Sequence, residues 1–473
     1  MQSPTSISVT PAQRQVELKR RLGLFSATAL VVGEVIAVGI FLTPAGMAKS
    51  LGSPMWLLAV WLMMGAMALS GALCYGELAA RFPEAGGGYV YLRQAYGPAV
   101  GFLYGWKCLL VMDPGITAAL AAGLASYAGY VVNLSPLGAK AVAVGVVVVL
   151  AAINIFGVRF GAGLMRWLML LKLGSLAVIV LWALVFRLGD WSHFLPFVEP
   201  RPGSEPLLGA LAGGMVGAFF AFGGWWDLSK LAGEVRDPAH TLPRALALGV
   251  LIVTLVYILT SAVFLYLVPV ERVTSAETFA AQAGEALFGR AGGRVFSSIV
   301  VVSILGSLAG LIMAAPRVYF AMARDGVFLR AIAVLHPRFG TPARAIMVQA
   351  ALASLLVVLG TFNQIVSYFI FVTVIFIALT VAAVFVLRRP QGLLSRQSSE
   401  PGYRAPGYPV TPVIFLVLVS LLLILLGGNN PVQALLGMAV VALGAPVYYL
   451  LFRDRLNKER LFRHGLDSDN SPI

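Results

Sequence analysis

Apolar residues run along this chain in long stretches, without the polar face of a helix that lies on a wet surface. Twelve such stretches can be drawn: 23–50, 55–78, 97–132, 138–157, 160–187, 207–232, 243–268, 295–322, 344–361, 364–387, 410–427 and 432–452. Crossing a bilayer takes about 20 apolar residues per helix. Turn-forming clusters separate the stretches at 83–88, 136–138, 200–206, 337–342 and 401–412. The pattern predicts an all-α polytopic membrane protein with about 12 transmembrane helices. A short, mildly amphipathic segment at 278–287 is expected along the outer surface. Small residues at every fourth position, Gly97, Gly101 and Gly105 and again Gly213, Gly217 and Ala221, predict ridges where helices approach closely.

Two stretches differ from the rest. The first contains Gly33, Glu34, Val35, Ile36, Ala37, Val38 and Gly39, followed by Pro44. The sixth contains Phe222, Gly223, Gly224, Trp225, Trp226 and Asp227. Glycines beside a charge deep in a bilayer disfavour a continuous helix, and irregular backbone is tolerated there only when it lines a cavity or is buried in protein. If spans 1–5 and 6–10 are inverted repeats, the two interruptions occupy matching places, which points to a transporter's substrate site. Two kinked structural helices are the alternative.

Composition narrows the class further. Of 473 residues, 59% are hydrophobic and 11% charged, against roughly 25% charged in a soluble domain. That excludes a cytosolic enzyme, a disordered scaffold and a small secreted module. The net charge of +14 would suggest nucleic acid in a soluble protein. Here the basic residues lie between apolar runs, with about 24 in loops on the side shared by both termini and about 7 on the other. The positive-inside rule then puts both termini in the cytoplasm. Cys74 and Cys108 lie within apolar stretches, so no disulfide framework is expected. Residues 1–21 are polar and basic and the first apolar run is too long for a signal-peptide core, so no cleaved leader is expected.

Several motifs in order resemble the amino acid–polyamine–organocation superfamily of transporters, and within it the L-type amino acid transporter (amino acid permease) branch. They are GEVIAVGIFLTPAGMAKSLGSP (33–54), FPEAGGGYVYLRQAYGPAVGFLYGW (82–106), FFAFGGWWDLSKLAGEVRDPAHTLPRA (219–245), GSLAGLIMAAPRVYFAMARDGVF with HPRFGTP (306–342), and YRAPGYPVTP (403–412). The resemblance implies a LeuT-type five-plus-five inverted repeat with broken helices 1 and 6. It also implies amino acid transport by alternating access, usually as exchange and sometimes with protons. The corresponding division is a cytoplasmic tail at 1–22, a ten-helix core at 23–387, a loop and two further helices at 388–452, and a cytoplasmic tail at 453–473. Eukaryotic members join a heavy chain through a cysteine in the loop after span 3. The loop at 133–140 has none, so no disulfide-linked partner is expected.

An α-amino acid presents a carboxylate and an ammonium a few ångströms apart. Unpaired N–H groups at a half-helix N-terminus suit the carboxylate, and the amides of Val38, Gly39 and Ile40 stand there. By the motif match, Val35, Phe220 and Gly223 would supply carbonyls to the ammonium, with Gly224 in the same break. Phe220 aligns with an aromatic that closes over substrate in relatives. Lys172, an amine inside span 5, matches a lysine that the family places near the first break, and such a residue is a functional candidate by default. Glu34 and Lys172 are therefore read as coupling or gating groups, with Phe220 as a gate. The chain departs from the family at Glu34, where relatives carry a small hydroxyl residue, at Ala37 (glycine) and at Val38 (serine).

Glu34 has three candidate partners: Lys172, a cationic group on the substrate, or a transported proton. Asp113 is another intramembrane charge, for which Arg166 is a candidate partner. Val35, Ile36, Phe220 and Phe371 suggest apolar walls and neutral substrates, whereas Glu34 and Asp113 would suit a cationic amino acid or polyamine. Trp225 and Trp226 are pocket wall or lipid-facing filler. No metal-ligand cluster, phosphate loop, nucleophile elbow or catalytic carboxylate pair is visible, so neither cofactor nor metal is expected. An embedded enzyme would need such a constellation, and a channel would need polar stripes or a filter repeat.

Overall fold

Proline opens many of the helices, where its missing N–H leaves no extra unpaired group. The computed structural model describes residue 20 and residues 22–36, 39–84, 86–156, 162–200, 206–269, 279–315, 402–429 and 431–452, together with 318–389 except 320, 321, 324, 330, 333, 335 and 340. The 453–473 tail and nearly all of the 1–22 tail lie outside the described residues.

In chain order the helices are α1 (Leu24–Val35), α2 (Gly39–Leu51), α3 (Pro54–Arg81), α4 (Gly88–Tyr96), α5 (Pro98–Lys107), α6 (Asp113–Val132), α7 (Pro136–Ile155) and α8 (Ala162–Val185). They continue as α9 (Leu207–Phe222), α10 (Pro238–Leu267), α11 (Phe279–Ala314), α12 (Ala343–Leu359), α13 (Phe362–Leu387), α14 (Val410–Asn429), α15 (Pro431–Ala442) and α16 (Gly444–Leu451). Side-chain oxygens cap several starts: Ser53 accepts from the Trp56 N–H, Ser135 from the Gly138 N–H, and Thr361 forms a reciprocal box with Gln364.

Among the described residues nine helices are long and apolar enough to cross a membrane, or ten if α1 and α2, which meet at 46°, form one bent span. The chain is a nearly all-helical, multi-pass membrane protein. Large side chains such as Ile424, Leu208 and Leu450 face outward at 72%, 72% and 82% exposure, which suits lipid and not water.

Two groups of helices build the interior. In one, α10 runs along α3 and α1, while α2 and α3 lie against α9. In the other, α6 and α7 pack with α11 and α12. Within the first group, Leu22 and Val235 form a parallel bridge, in which the Leu22 N–H donates to the Glu234 carbonyl at 3.0 Å and the Arg236 N–H to the Leu22 carbonyl at 2.8 Å. The start of the first span and the end of the sixth therefore share one face of the membrane.

One stretch read as uniform is not. The third is divided by a π-helical turn over Cys108–Met112, between α5 and α6. The short segment expected at 278–287 is helical from Phe279 and is set off from the eighth span by non-helical Phe288 and Gly289, where Gly289 has φ 67°.

Candidate functional site

The first span is interrupted where its glycines stand. The α1 helix continues through Glu34 and Val35, and its last N–H, from Ile36, closes on the Val32 carbonyl at 2.9 Å. Ala37 and Val38 lie outside the described residues. Helix resumes at Gly39, so the amides of Gly39 and Ile40 belong to a first turn, which lacks intrahelical acceptors and forms the positive end of the helix dipole. Both residues are buried. Gly39 is required by a close approach: a Cβ there would lie 2.2 Å from the Ala221 Cα of α9.

The sixth span is interrupted at Gly223 and Gly224. Gly224 has φ 108°, a left-handed conformation open chiefly to glycine. A 3₁₀ helix, Trp225–Glu234, follows. The two interruptions face each other, because a Cβ at Gly224 would lie 3.0 Å from the Glu34 Cγ.

Tyr257 of α10 joins the two ends. Its hydroxyl lies 2.9 Å from the Val35 carbonyl and 2.7 Å from the Ala221 carbonyl, and it donates to the ends of both α1 and α9. The ring is fully buried, at 5.1 Å from Trp61 and 5.3 Å from Phe222 between centroids. Lys172 of α8 ties the first break to another element: Nζ donates to the Ser307 Oγ of α11 at 2.5 Å and to the Gly33 carbonyl at 3.4 Å. Of the carbonyls expected to receive an ammonium, Val35 thus has a partner in Tyr257, and Phe220 has one in the Gly223 N–H at 3.1 Å. Each carbonyl oxygen keeps a second lone pair for a ligand.

The charged groups sort differently from the spacing. Lys172 and Glu34 lie within each other's field, yet among the described residues they form no ion pair. Glu34 lies in the field of Asp227 as well. Asp227 is held by Lys230, Nζ to Oδ1 at 2.7 Å. The partner of Asp113 is the Tyr319 hydroxyl, which donates to Oδ2. The Arg166 side chain lies outside the described residues. Lys107 is buried over the Tyr104 ring, 4.7 Å from its centroid, beside the Met112 sulfur.

Aromatic groups surround the sixth break. Phe220 meets Phe362 and Phe369 at 5.5 and 6.2 Å between centroids. Trp225 and Trp226 are buried, not lipid-facing, with Trp225 edge-on to Tyr75 at 5.1 Å and Trp226 stacked on Phe219 at 6.1 Å. Phe371 points toward Gly427 of α14. The sequence singles out Glu34 and Lys172 as charges inside spans, whereas Tyr257, Ser307 and Lys230, which lie around them, were not singled out. A buried tyrosine hydroxyl needs a partner, though nothing local in the sequence says which. Among the described residues no three His, Cys, Asp or Glu side chains come together as metal ligands.

These helices define a nearly all-helical, multi-pass membrane protein. The chain belongs to the amino acid permease family, whose model matches residues 22–451. It is similar to the serine/threonine exchanger SteT of Bacillus subtilis, 33% identical over 91% of this chain and 97% of that protein. It is also similar to the large neutral amino acids transporter small subunit 2 of Homo sapiens, 29% identical over 92% and 81%, and to the human cystine/glutamate transporter, 26% identical over 93% and 87%. These relatives are transporters, not enzymes.

Proposed function

We propose that this permease exchanges neutral L-amino acids across the cell membrane by alternating access, with both termini cytoplasmic. The observation that carries the reading is the opposition of the two breaks: the buried amides of Gly39 and Ile40 at a helix start, and the carbonyl ends of α1 and α9 beside them. Amides at a positive helix end suit a carboxylate, and carbonyls at negative ends suit an ammonium. Val35, Val38, Gly39, Ile40, Phe220, Gly223 and Gly224 are the proposed substrate-binding residues, with Glu34, Lys172 and Phe220 as coupling or gating groups. Recognition through backbone accepts any amino acid, and the buried apolar Val35, Ile36 and Phe220 favour neutral side chains.

Two relatives named for serine, threonine and large neutral amino acids support that preference. So does the charge pairing, since Asp113 has a partner in Tyr319 and Asp227 one in Lys230. The proposed organisation is a ten-span core at 23–387 in two inverted repeats, two further spans within 388–452, and cytoplasmic tails at 1–22 and 453–473. No cofactor and no disulfide-linked heavy chain take part in this reading. Counterflow of labelled amino acids in proteoliposomes, competed by every amino acid and common polyamines, tests it. Competition by neutral amino acids is expected. Competition by polyamines alone, or conductance without substrate-dependent exchange, would overturn it.

A further inference from the structure

We propose that residues 188–198, between the fifth and sixth spans, are a membrane-surface anchor whose apolar side chains sit among lipids and not in water. The segment carries a row of large exposed side chains: Trp191, Leu195, Phe197 and Val198 are 65%, 69%, 43% and 53% accessible. The row continues the lipid-facing surface on both sides, from Val185 at the end of α8 to Leu208 at the start of α9, both strongly exposed. Contiguous apolar surface of this kind marks contact with a partner or a membrane. Here the bilayer already reaches both ends of the row, so the occupant is lipid. Over 188–198 the ionisable side chains are Asp190 and His193, and both are bonded within the fold. The Asp190 carboxylate accepts the Ser192 N–H at 2.8 Å, and His193 Nδ1 donates to the Tyr266 carbonyl at 2.9 Å. Arg187 and Glu199 stand just beyond the two ends, where charged groups can reach the headgroups.

The backbone is prepared for that setting. Irregular chain beside lipid is costly unless its N–H and C=O groups are met inside the protein. The Leu188 N–H donates to the Ala183 carbonyl at 3.0 Å, Asp190 to Tyr266 at 2.9 Å, His193 to Asp190 at 3.2 Å and Leu195 to Ser192 at 2.9 Å, while Pro196 has no N–H. A 3₁₀ turn over Trp191–Phe194 sets the exposed side chains on one short platform. The platform is fastened at two points. The Phe197 carbonyl accepts the Met55 N–H at 3.0 Å and the Ser53 hydroxyl at 2.8 Å, at the start of α3. Trp191 lies 4.7 Å from the Tyr266 ring, at the end of α10. Ser53 follows α2, so this is the membrane face opposite the Leu22–Val235 bridge. Tryptophan and tyrosine favour the headgroup level, where an apolar ring and a polar edge are both accommodated.

The test uses the purified full chain in phosphatidylcholine vesicles. Cys74 and Cys108 are buried, so a cysteine introduced at the surface can carry a nitroxide label alone. In Leu195→Cys and Val198→Cys the label should collide more with oxygen, which concentrates in lipid, than with a water-soluble nickel chelate. In Asn133→Cys, in the turn after α6, the order should reverse. A second measurement needs no new cysteine. The fluorescence lost between wild type and Trp191→Phe isolates Trp191, and that component should be quenched more by lipid brominated high in its acyl chains than by aqueous iodide. Nickel exceeding oxygen at both labelled positions would overturn the proposal, as would a Trp191 component quenched by iodide and not by brominated lipid. Labels at Leu195→Cys and Val198→Cys shielded from both reagents would also overturn it, by showing that protein covers the row. Recovery of oxygen access when the protein is diluted in lipid would then identify that cover as a second copy of the chain.

Discussion

Arg388 holds the Glu77 carboxylate with two nitrogens, Nε on Oε1 at 2.7 Å and Nη2 on Oε2 at 2.5 Å. The same carboxylate accepts the Ala405 N–H at 2.8 Å, and the guanidinium lies 4.1 Å from the centre of the Tyr408 ring. One buried glutamate therefore anchors the end of α3, the residue just past α13 and the segment leading into α14. Removing one member of a buried pair strands the other charge, at a cost of about 3–5 kcal/mol. Arg388→Met should lower the melting temperature of detergent-purified protein strongly. The double variant Glu77→Gln with Arg388→Met should recover much of the loss, because no stranded charge remains. Equal melting of Arg388→Met and wild type would show that the pair contributes nothing.

Tyr257 has one hydroxyl proton and two carbonyl acceptors, at the ends of both interrupted helices. In Tyr257→Phe the ring still packs on Trp61 and Phe222, while the carbonyls lose their donor. An unmet buried polar group costs about 1–3 kcal/mol, so the folded protein should survive. Transport should slow at least tenfold, because the relative position of the two breaks is no longer held. Melting curves and initial exchange rates from one preparation check this. Wild-type rates in a stable Tyr257→Phe protein would remove Tyr257 from the mechanism.

The ends of α1 and α9 and the start of α2 were legible in the sequence because the rules that place them are local. Gly33, Gly39, Gly223 and Gly224 declare them within a few residues. Lys172 was legible too, since a buried amine must be bonded to something. Its acceptor was not: Ser307 stands 135 positions away on another helix, and periodicity carries no information about such a pairing. For the same reason the Tyr319 hydroxyl, 206 positions from Asp113, could not be named as its donor. Glu34 packs against Gly224 because the left-handed turn there brings the sixth-span break against α1. That geometry emerges only once both spans are folded. Tyr257 gave no signal at all, as one tyrosine in a long apolar stretch.

Close approach at Gly39 predicts an asymmetric response to alanine. A methyl group at Gly39 would drive α2 from α9, since the nearest atom is backbone and cannot rotate away. Gly39→Ala should abolish exchange and lower stability. Gly145 in α7 has nothing within 4 Å of its would-be Cβ, and replacing a helical glycine by alanine gains about 1 kcal/mol. Gly145→Ala should therefore melt no lower than wild type and exchange normally. If Gly39→Ala exchanges as well as Gly145→Ala, α2 and α9 do not need to touch for transport.

Lys172 holds the end of α1 through two acceptors, and the variants should rank accordingly. Ser307→Ala removes one acceptor but leaves the ammonium on the Gly33 carbonyl, so exchange should fall modestly. Lys172→Met removes the donor and leaves the Gly33 carbonyl, at the end of α1, without it, so exchange should fall further. Adding Ser307→Ala to Lys172→Met should cost little more, because the hydroxyl and the ammonium act as one unit and such pairs are not additive. Lys172→Arg keeps the charge but replaces a compact ammonium by a planar fork on a longer stem, and should recover only part of the rate. Initial exchange rates for the four variants, normalised to folded protein in the vesicles, decide the matter. Independent, additive losses from Ser307→Ala and Lys172→Met would mean that Ser307 acts on something other than Lys172, and the α8–α11 tie to the first break would then be incidental to transport.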